Sequence, residues 1–287
     1  MDIKQKLKKV IKSVIMMAKE EKKIPIPVQT NTTELLKGKT ALITGGSGGI
    51  GMAIAENFLK NGAQVILAGT IEEKLNNAIK RLRENDLHYD SRIRSIIIDV
   101  KEVNSLSEKI KLASTLFESN RIDILVNSAG VLTRSDFWNT TEKEYDVIMD
   151  INLKGTFFMC QAMAVYMTEN KIQGHILNVS SSSALRPAWT PYPISKWAIR
   201  GFTLGLADTL LPYGITVNAI APGPVATAML GKKEGDSINN QNNPIGRYAE
   251  PSEIANLATF MVSDMGNMIV GDTFYITGGA GTIRYKL

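Results

Sequence analysis

The first apolar positions of the chain, Ile3, Leu7, Val10, Ile11, Val14 and Ala18, recur at three- and four-residue steps with lysines between them. That spacing puts the apolar side chains on one face of a helix and the charges on the other, and predicts a basic amphipathic helix over residues 1–23. Pro25 and Pro27, then the polar run Thr30, Asn31, Thr32 and Thr33, end the pattern, so residues 24–38 read as an extended linker. From Lys39 the period changes. Short, almost wholly apolar runs at 40–44, 64–68, 94–98, 122–127, 175–179, 216–220 and 273–276 predict strands. They alternate with helical periodicity at 49–61, 71–84, 103–119, 142–169, 191–213 and 251–263. Apolar strands alternating with helices are the pattern of a parallel sheet covered on both faces. Residues 39–287 therefore predict one α/β domain, a doubly wound parallel sheet of about seven strands with helices on both sides.

Composition narrows the chemistry. With 44% apolar and 21% charged residues in 287, the chain can bury a full core. The formal net charge of +5 resides in residues 1–23, where eight lysines face Asp2, Glu20 and Glu21. The rest of the chain is balanced and predicts no nucleic-acid partner. A basic helix of this kind packs on its own fold, on a neighbouring subunit or on an anionic membrane surface. No run is apolar and long enough to span a bilayer, and the first residues lack the apolar stretch and cleavage site of a secretory signal, so a cytoplasmic protein is expected. Cys160 is the single cysteine, which excludes an internal disulfide and is expected in the core. His88 and His175 lie far apart, too few for a metal cluster and remote from any nucleophile elbow.

The apolar run Ala41, Leu42, Ile43 leads directly into Thr44-Gly45-Gly46-Ser47-Gly48-Gly49-Ile50-Gly51 and then into a helix. Strand, glycine turn and helix N-terminus in this order form a Rossmann-like phosphate cradle. Glycine lets the chain turn tightly, lets a pyrophosphate reach main-chain N–H groups and lets helix and strand pack closely. Gly46, Gly48 and Gly51 fit a G-x-G-x-x-G frame, and Gly45, Gly49 and Gly51 fit Thr-Gly-x-x-x-Gly-x-Gly equally well. The absence of a Gly-Lys-Ser/Thr ending excludes a P-loop.

Six elements follow in fixed order: Thr44-Gly-x-x-x-Gly-Ile-Gly51, Asn127-Ser-Ala-Gly130, Asn152-Leu-Lys-Gly155, Asn178-Val-Ser-Ser181, Tyr192-Pro-Ile-Ser-Lys196 and Pro222-Gly223. Together they resemble the short-chain dehydrogenase/reductase family. The likeness continues through Pro244-Ile-Gly-Arg247, Glu250-Pro-Ser-Glu-Ile254, Ser263-Asp264 and Gly278-Gly279, and covers the chain from about Lys37 onward. It implies an oxidoreductase that moves a hydride between a nicotinamide cofactor and a carbonyl or secondary alcohol.

Tyr192 alone among the eight tyrosines has a lysine four residues later, which sets both side chains on one helix face. A phenol has an ordinary pKa near 10, and a fixed positive neighbour would favour its phenolate, a task that Lys196 can perform. The resemblance gives Lys196 a second task, hydrogen bonding the nicotinamide ribose, and makes Tyr192 the proton donor to the carbonyl oxygen, with roles reversed in oxidation. It favours Ser181 as the hydroxyl that steadies the substrate oxygen. Ser180, Ser182 and Ser183 stand beside it, and eleven residues separate Ser181 from Tyr192, slightly fewer than the family usually has. Asn152 corresponds to an asparagine whose carbonyl holds a relay water.

By the same resemblance Gly45, Ser47, Gly48, Gly49, Ile50, Gly51, Thr70, Asp99, Val100, Asn127, Ala129, Gly130, Pro222, Gly223, Val225 and Thr227 are expected to hold the cofactor, with Tyr192 and Lys196. Asp99 and Val100 are expected to end the third strand. Ser128 replaces the family's usual second asparagine. NAD selectivity usually needs a carboxylate after the second strand, where this chain has Gly69 and Thr70. NADP selectivity usually adds a cation, and only Lys74, with Ser47 and Thr70, is near, so NADP is favoured and NAD is the alternative. The substrate is expected between residues 181–189 and the loop 228–243, with Leu185, Trp189 and Phe137 as apolar lining. A 3-oxoacyl-[acyl-carrier-protein] reductase, whose acidic carrier would suit the basic N-terminus, is the first alternative. A non-catalytic nucleotide-binding scaffold is the second. A homo-oligomer, dimer or tetramer, built through the helices carrying Asn152 and Tyr192 is also implied.

Overall fold

The computed structural model describes residues 34–132, 135–233 and 235–283, so the expected basic helix and most of the expected linker lie outside the described residues. Seven strands, β1 (Thr40–Thr44), β2 (Gln64–Gly69), β3 (Ile93–Ile97), β4 (Ile124–Asn127), β5 (His175–Val179), β6 (Thr216–Pro222) and β7 (Thr273–Ile276), form one sheet in the order β3-β2-β1-β4-β5-β6-β7. Every pairing is parallel. The chain runs outward from β1 to β3 and then returns to place β4 on the other side of β1. The carboxyl ends of β1 and β4 thus flank a topological switch point, the crevice where a doubly wound sheet binds ligands.

Alternation along each strand explains why the strands read as solid apolar runs. Leu42, Ile66 and Leu125 face one side with Ile110, Met159 and Met163, while Ile43, Leu67 and Val126 face the other with Phe58, Leu75 and Ile254. Both faces are dry, so neither parity of residue is free to be polar. The covering helices are α1 (Gly49–Lys60), α2 (Glu72–Asn85), α3 (Leu106–Ser114), α4 (Glu142–Ile148), α5 (Thr156–Glu169), α6 (Pro191–Leu210) and α7 (Pro251–Met261). Packing reaches back to Leu36, which is fully buried and whose N–H donates to the carbonyl of Asn61, three residues before the expected start of the domain.

Several elements differ from the sequence-based expectation for local reasons. The helix expected over 103–119 is α3 alone after a 3-10 turn at Val103–Ser105. Ser114 and Thr115 donate their hydroxyls to the carbonyls of Lys111 and Leu112, competing with the backbone in the last turn. α6 stops at Leu210 rather than 213 because Pro212 has no N–H to continue it, and Gly214 turns the chain at φ 74°. β3 ends at Ile97, so Asp99 and Val100 lie in the turn beyond the strand rather than closing it. The single helix expected over 142–169 is divided by a π-helical turn, Met149–Gly155, between α4 and α5. Gly155 permits that turn to seat against β3's exit, since a Cβ there would stand 2.6 Å from the Val100 side chain.

Candidate functional site

The glycine turn occupies the carboxyl end of β1, and its geometry shows which glycines the chain itself needs and which one faces open space. Gly45 and Gly49 have φ of 65° and 53°, and a Cβ on Gly45 would lie 2.9 Å from the Ala129 backbone. A Cβ on Gly51 would overlap the Gly45 carbonyl oxygen. Gly48 is extended, at φ −171°, and a Cβ there would meet nothing within 4 Å. The chain itself therefore requires glycine at 45, 49 and 51, and a Cβ on Gly46 would stand 2.9 Å from Leu67 Cδ2 and 3.0 Å from the Ile43 carbonyl oxygen, whereas Gly48 faces open space at the start of α1. The Thr44 hydroxyl ties the turn to the loop after β4 by accepting from the N–H groups of Ser128 and Ala129, at 3.2 and 3.1 Å.

A cavity of about 340 Å³ opens from this turn across the switch point. Of the expected cofactor residues, Gly45, Ser47, Thr70, Asp99, Val100, Ala129 and Gly130 line it, and Lys74 and Lys101 stand on its wall as cations. Lys101 pairs with Asp99 at 3.7 Å. Gly69 lines it too, and so do Ile71, Ile98, Val131 and Ile151, which were not singled out in the sequence; these four contribute backbone or plain apolar surface, which carries no motif. Gly48, Gly49, Ile50 and Gly51 build the turn and the first turn of α1 rather than the cavity wall.

The remaining expected residues are set back. Asn127 is buried beneath the cavity, where its Nδ2 donates to Asn178 Oδ1 at 3.0 Å and to the buried Cys160 Sγ at 3.1 Å, and Asn178 in turn donates to the Thr203 hydroxyl. Beyond Pro222, Gly223 passes so close to Thr277 that a Cβ would lie 2.8 Å from its carbonyl oxygen. Val225 is buried and pairs with Ala249 in an isolated bridge. Thr227 does not cap the turn that follows it; its methyl faces Gly49, 3.6 Å from where a Cβ would stand, so this segment lies over the glycine turn.

A second cluster adjoins the cavity at Gly130, whose Cβ position is 3.4 Å from Asn152 Oδ1 and 3.8 Å from Lys196 Nζ. Asn152 is not a solvent-facing helix residue: it is 1% exposed. Its Oδ1 accepts from Val131 N–H at 2.8 Å and its Nδ2 donates to the Val131 carbonyl at 3.0 Å. The π-helical turn presents the side chain this way, and the Thr156 hydroxyl donates to the Asn152 carbonyl at 2.9 Å. Tyr192 and Lys196 lie on one face of α6, with the Lys196 ammonium 5.7 Å from the Tyr192 ring centre and donating to the Val179 carbonyl at 2.8 Å.

Burial pulls the Lys196 ammonium down to about 8. It pushes the Tyr192 phenol above its ordinary value, against a hydrogen bond from Ser181 that lowers it. A phenol pulled down by Lys196 was expected; here the lysine is turned to a backbone carbonyl, and burial of the phenol outweighs the Ser181 hydrogen bond. The neighbouring serines separate by contact. Ser180 donates to the Lys196 carbonyl at 2.9 Å, whereas Ser181 reaches Tyr192 and also meets the Ser183 hydroxyl at 3.2 Å. Arg247 and Glu253, from the motifs after the loop, form a two-pronged ion pair at 2.7 and 2.8 Å that braces the start of α7.

Residues 45–281 match the family described as enoyl-(acyl carrier protein) reductase. The chain is 36% identical over 250 residues to a 3alpha-hydroxysteroid dehydrogenase of Mediterraneibacter gnavus, covering 86% of this chain and 98% of the relative. It is 34% identical over 249 residues to a 3-oxoacyl-[acyl-carrier-protein] reductase of Rickettsia felis, covering 85% and 97%. Among solved structures, a gluconate 5-dehydrogenase of Burkholderia cenocepacia in complex with NADP and tartrate superposes with a TM-score of 0.77 at 28% identity, over 88% of this chain and 99% of the other.

Proposed function

The chain belongs to the short-chain dehydrogenase/reductase family and is an oxidoreductase, and from that premise we propose that it reduces a small-molecule ketone to a secondary alcohol with NADPH, Tyr192 giving the proton. The observation that carries this reading is the joined pair of sites: a glycine cradle whose Gly48 position is open, meeting at Gly130 a buried lysine and a buried asparagine, with Tyr192 one helical turn from that lysine. The cradle suits a dinucleotide, because the space a side chain would fill at Gly48 borders the first N–H groups of α1. Ser47, Gly48, Gly49 and Ile50 would hold its pyrophosphate, Asp99 and Val100 its adenine, and Lys196 its nicotinamide ribose. A bound nicotinamide supplies the hydride.

In this reading Tyr192 is protonated at neutral pH, because its phenol is pushed up, and so rests in the state that donates to a carbonyl oxygen. Ser181 shares its hydroxyl with that phenol and steadies the oxygen as charge develops. Lys196, still largely charged at pH 7, returns a proton to Tyr192 through groups held by Asn152. The lack of a carboxylate at Gly69 and Thr70, with Lys74 on the cavity wall, favours NADPH over NADH. The NADP bound to the gluconate 5-dehydrogenase supports the same choice.

A 3-oxoacyl-[acyl-carrier-protein] substrate is the second reading, favoured by the Rickettsia relative and by the eight lysines of residues 1–23. Trp197 and Leu204, 41% and 62% exposed on α6, support an oligomer built on that helix. Fluorescence titration with NADPH and NADH, then turnover with a 3-oxosteroid and an acetoacetyl thioester, tests cofactor and substrate class together. Tyr192→Phe is expected to abolish turnover while NADPH still binds; near-parental activity in that variant removes Tyr192 from the mechanism.

A further inference from the structure

Ser195 lies between Tyr192 and Lys196 in the chain and is fully buried. Its hydroxyl donates to the Tyr192 carbonyl at 2.7 Å and accepts from Asn152 Nδ2 at 3.4 Å. The other hydrogen of that amide group is engaged by the Val131 carbonyl, and Oδ1 by the Val131 N–H. One carboxamide therefore joins three separate elements: the loop leaving β4, the π-helical turn, and the first turn of α6. Ser195 is the only one of these links made to α6 by a side chain of α6 itself. Its Oγ is the point through which the position of Asn152 registers on the helix that carries Tyr192 and Lys196.

We propose that Ser195 is a positioning residue for the reaction, holding the Asn152 carboxamide in register with the first turn of α6 so that Tyr192 and Lys196 keep their separation from the cavity at Gly130. The inference rests on the reading of Tyr192 and Lys196 as the reacting pair. Ser195 does not line the cavity, and its two hydrogen bonds reach the Asn152 carboxamide and the Tyr192 main-chain carbonyl, so it acts through them. An alanine leaves the helix intact, since alanine is the best helix former, but leaves one Asn152 N–H without its acceptor in a dry site. The carboxamide is then free to tilt about its two bonds to Val131. Chemistry that depends on near-attack geometry loses rate steeply with such displacements, while binding, made mostly along the glycine turn, does not.

The test is steady-state kinetics of Ser195→Ala, with NADPH affinity by fluorescence and a melting curve. The expected result is a fall in kcat of about ten- to a hundredfold, with KM and NADPH affinity within about twofold of the parent. A merely structural defect would move all three. In combination with Asn152→Ala the loss is expected to be no larger than that of Asn152→Ala alone, because both changes break one link. Should Ser195→Ala fail to fold, Ser195→Cys fills the same space with a far weaker hydrogen-bonding atom and is expected to show the same split between kcat and KM. Parental kcat in the folded variant, or losses that multiply with those of Asn152→Ala, overturns the proposal. Tyr192→Phe measured alongside separates the two levels: activity in that variant fails the catalytic reading itself, whereas an inactive Tyr192→Phe with a fully active Ser195→Ala fails only the role of Ser195.

Discussion

Replacing Lys196 by methionine should destroy activity and make the protein more stable. Lys196 is 6% exposed, and burial holds its ammonium at about 8, against 10.5 for an ordinary lysine. At about 1.4 kcal/mol per pH unit, a depression of this size means that the charged side chain costs the fold on the order of 3 kcal/mol at neutral pH. Methionine fills the space of the stem without the charge. It gives up the bond to the Val179 carbonyl, and a buried acceptor left alone costs about 1–2 kcal/mol. The net gain is about 1–2 kcal/mol, or a rise in Tm of about 2–8 °C for a domain of this size. The effect also has a definite pH window. Below pH 8 the lysine is charged in both folded and unfolded chains and the full cost applies. Between 8 and 10.5 the folded form has already lost its proton, so the cost fades, and the parent gains on the variant as pH rises. Thermal unfolding followed by circular dichroism at pH 7 and pH 10 reads both features. A Lys196→Met protein that melts below the parent at pH 7, or a difference that stays constant up to pH 10, refutes the argument that a buried charge is held at the site against the interest of the fold.

The glycine turn offers a contrast between two alanines: Gly51→Ala should lower stability by about 1–3 kcal/mol, because its methyl overlaps the Gly45 carbonyl. Gly48→Ala should melt within about 2 °C of the parent yet bind NADPH at least about tenfold more weakly, and equal effects on melting in the two variants would contradict the contrast between a crowded Gly51 and an open Gly48. His175 is held down to about 4 by burial, below its ordinary 6.5, so the stability it contributes is complete above 6.5 and is lost as pH falls toward 4, by on the order of 3 kcal/mol. Urea midpoints between pH 7 and 4.5 should fall less steeply in His175→Gln, and an unchanged slope would assign the acid sensitivity elsewhere. Lys74→Glu is expected to weaken NADPH binding about tenfold or more with little effect on NADH, and a parallel loss of both would show that Lys74 does not distinguish the cofactors.

Much of this architecture was readable in the chain because a parallel sheet with two covered faces forces every strand position to be apolar, and the runs at Ala41, Leu42 and Ile43 or at Val65, Ile66 and Leu67 have no other simple explanation. Side-chain motifs such as Tyr192 with Lys196 could be found because a helix brings positions four apart together. What escaped were features that side-chain patterns do not encode. Val131 hydrogen-bonds Asn152 through its backbone, and any residue but proline offers the same N–H and carbonyl. The early end of α3 depends on Ser114 and Thr115 turning their hydroxyls inward, which the same residues on an exposed face need not do. Burial of Leu36 follows from the chain folding back on Asn61, a contact invisible to local periodicity. The direction of the Tyr192 shift was missed because it depends on how deeply the phenol is buried, which the spacing of Tyr192 and Lys196 does not encode.

The π-helical turn at Met149–Gly155 also fixes the length of the chain at this place. A residue of α-helix advances the chain by about 100° around the axis, so one residue removed from or added to this stretch rotates everything on one side of it relative to the other. If α5 kept its hold on the sheet, Asn152 would swing away from Val131; if Asn152 kept its hold, Met159, Met163 and Met167 would turn out of the core. Substitutions there can be graded, but a deletion or insertion forces a choice between the Asn152–Val131 contact and the core. Natural variation in length among proteins built this way should therefore collect in the loops, such as 228–243, and pass over this turn altogether.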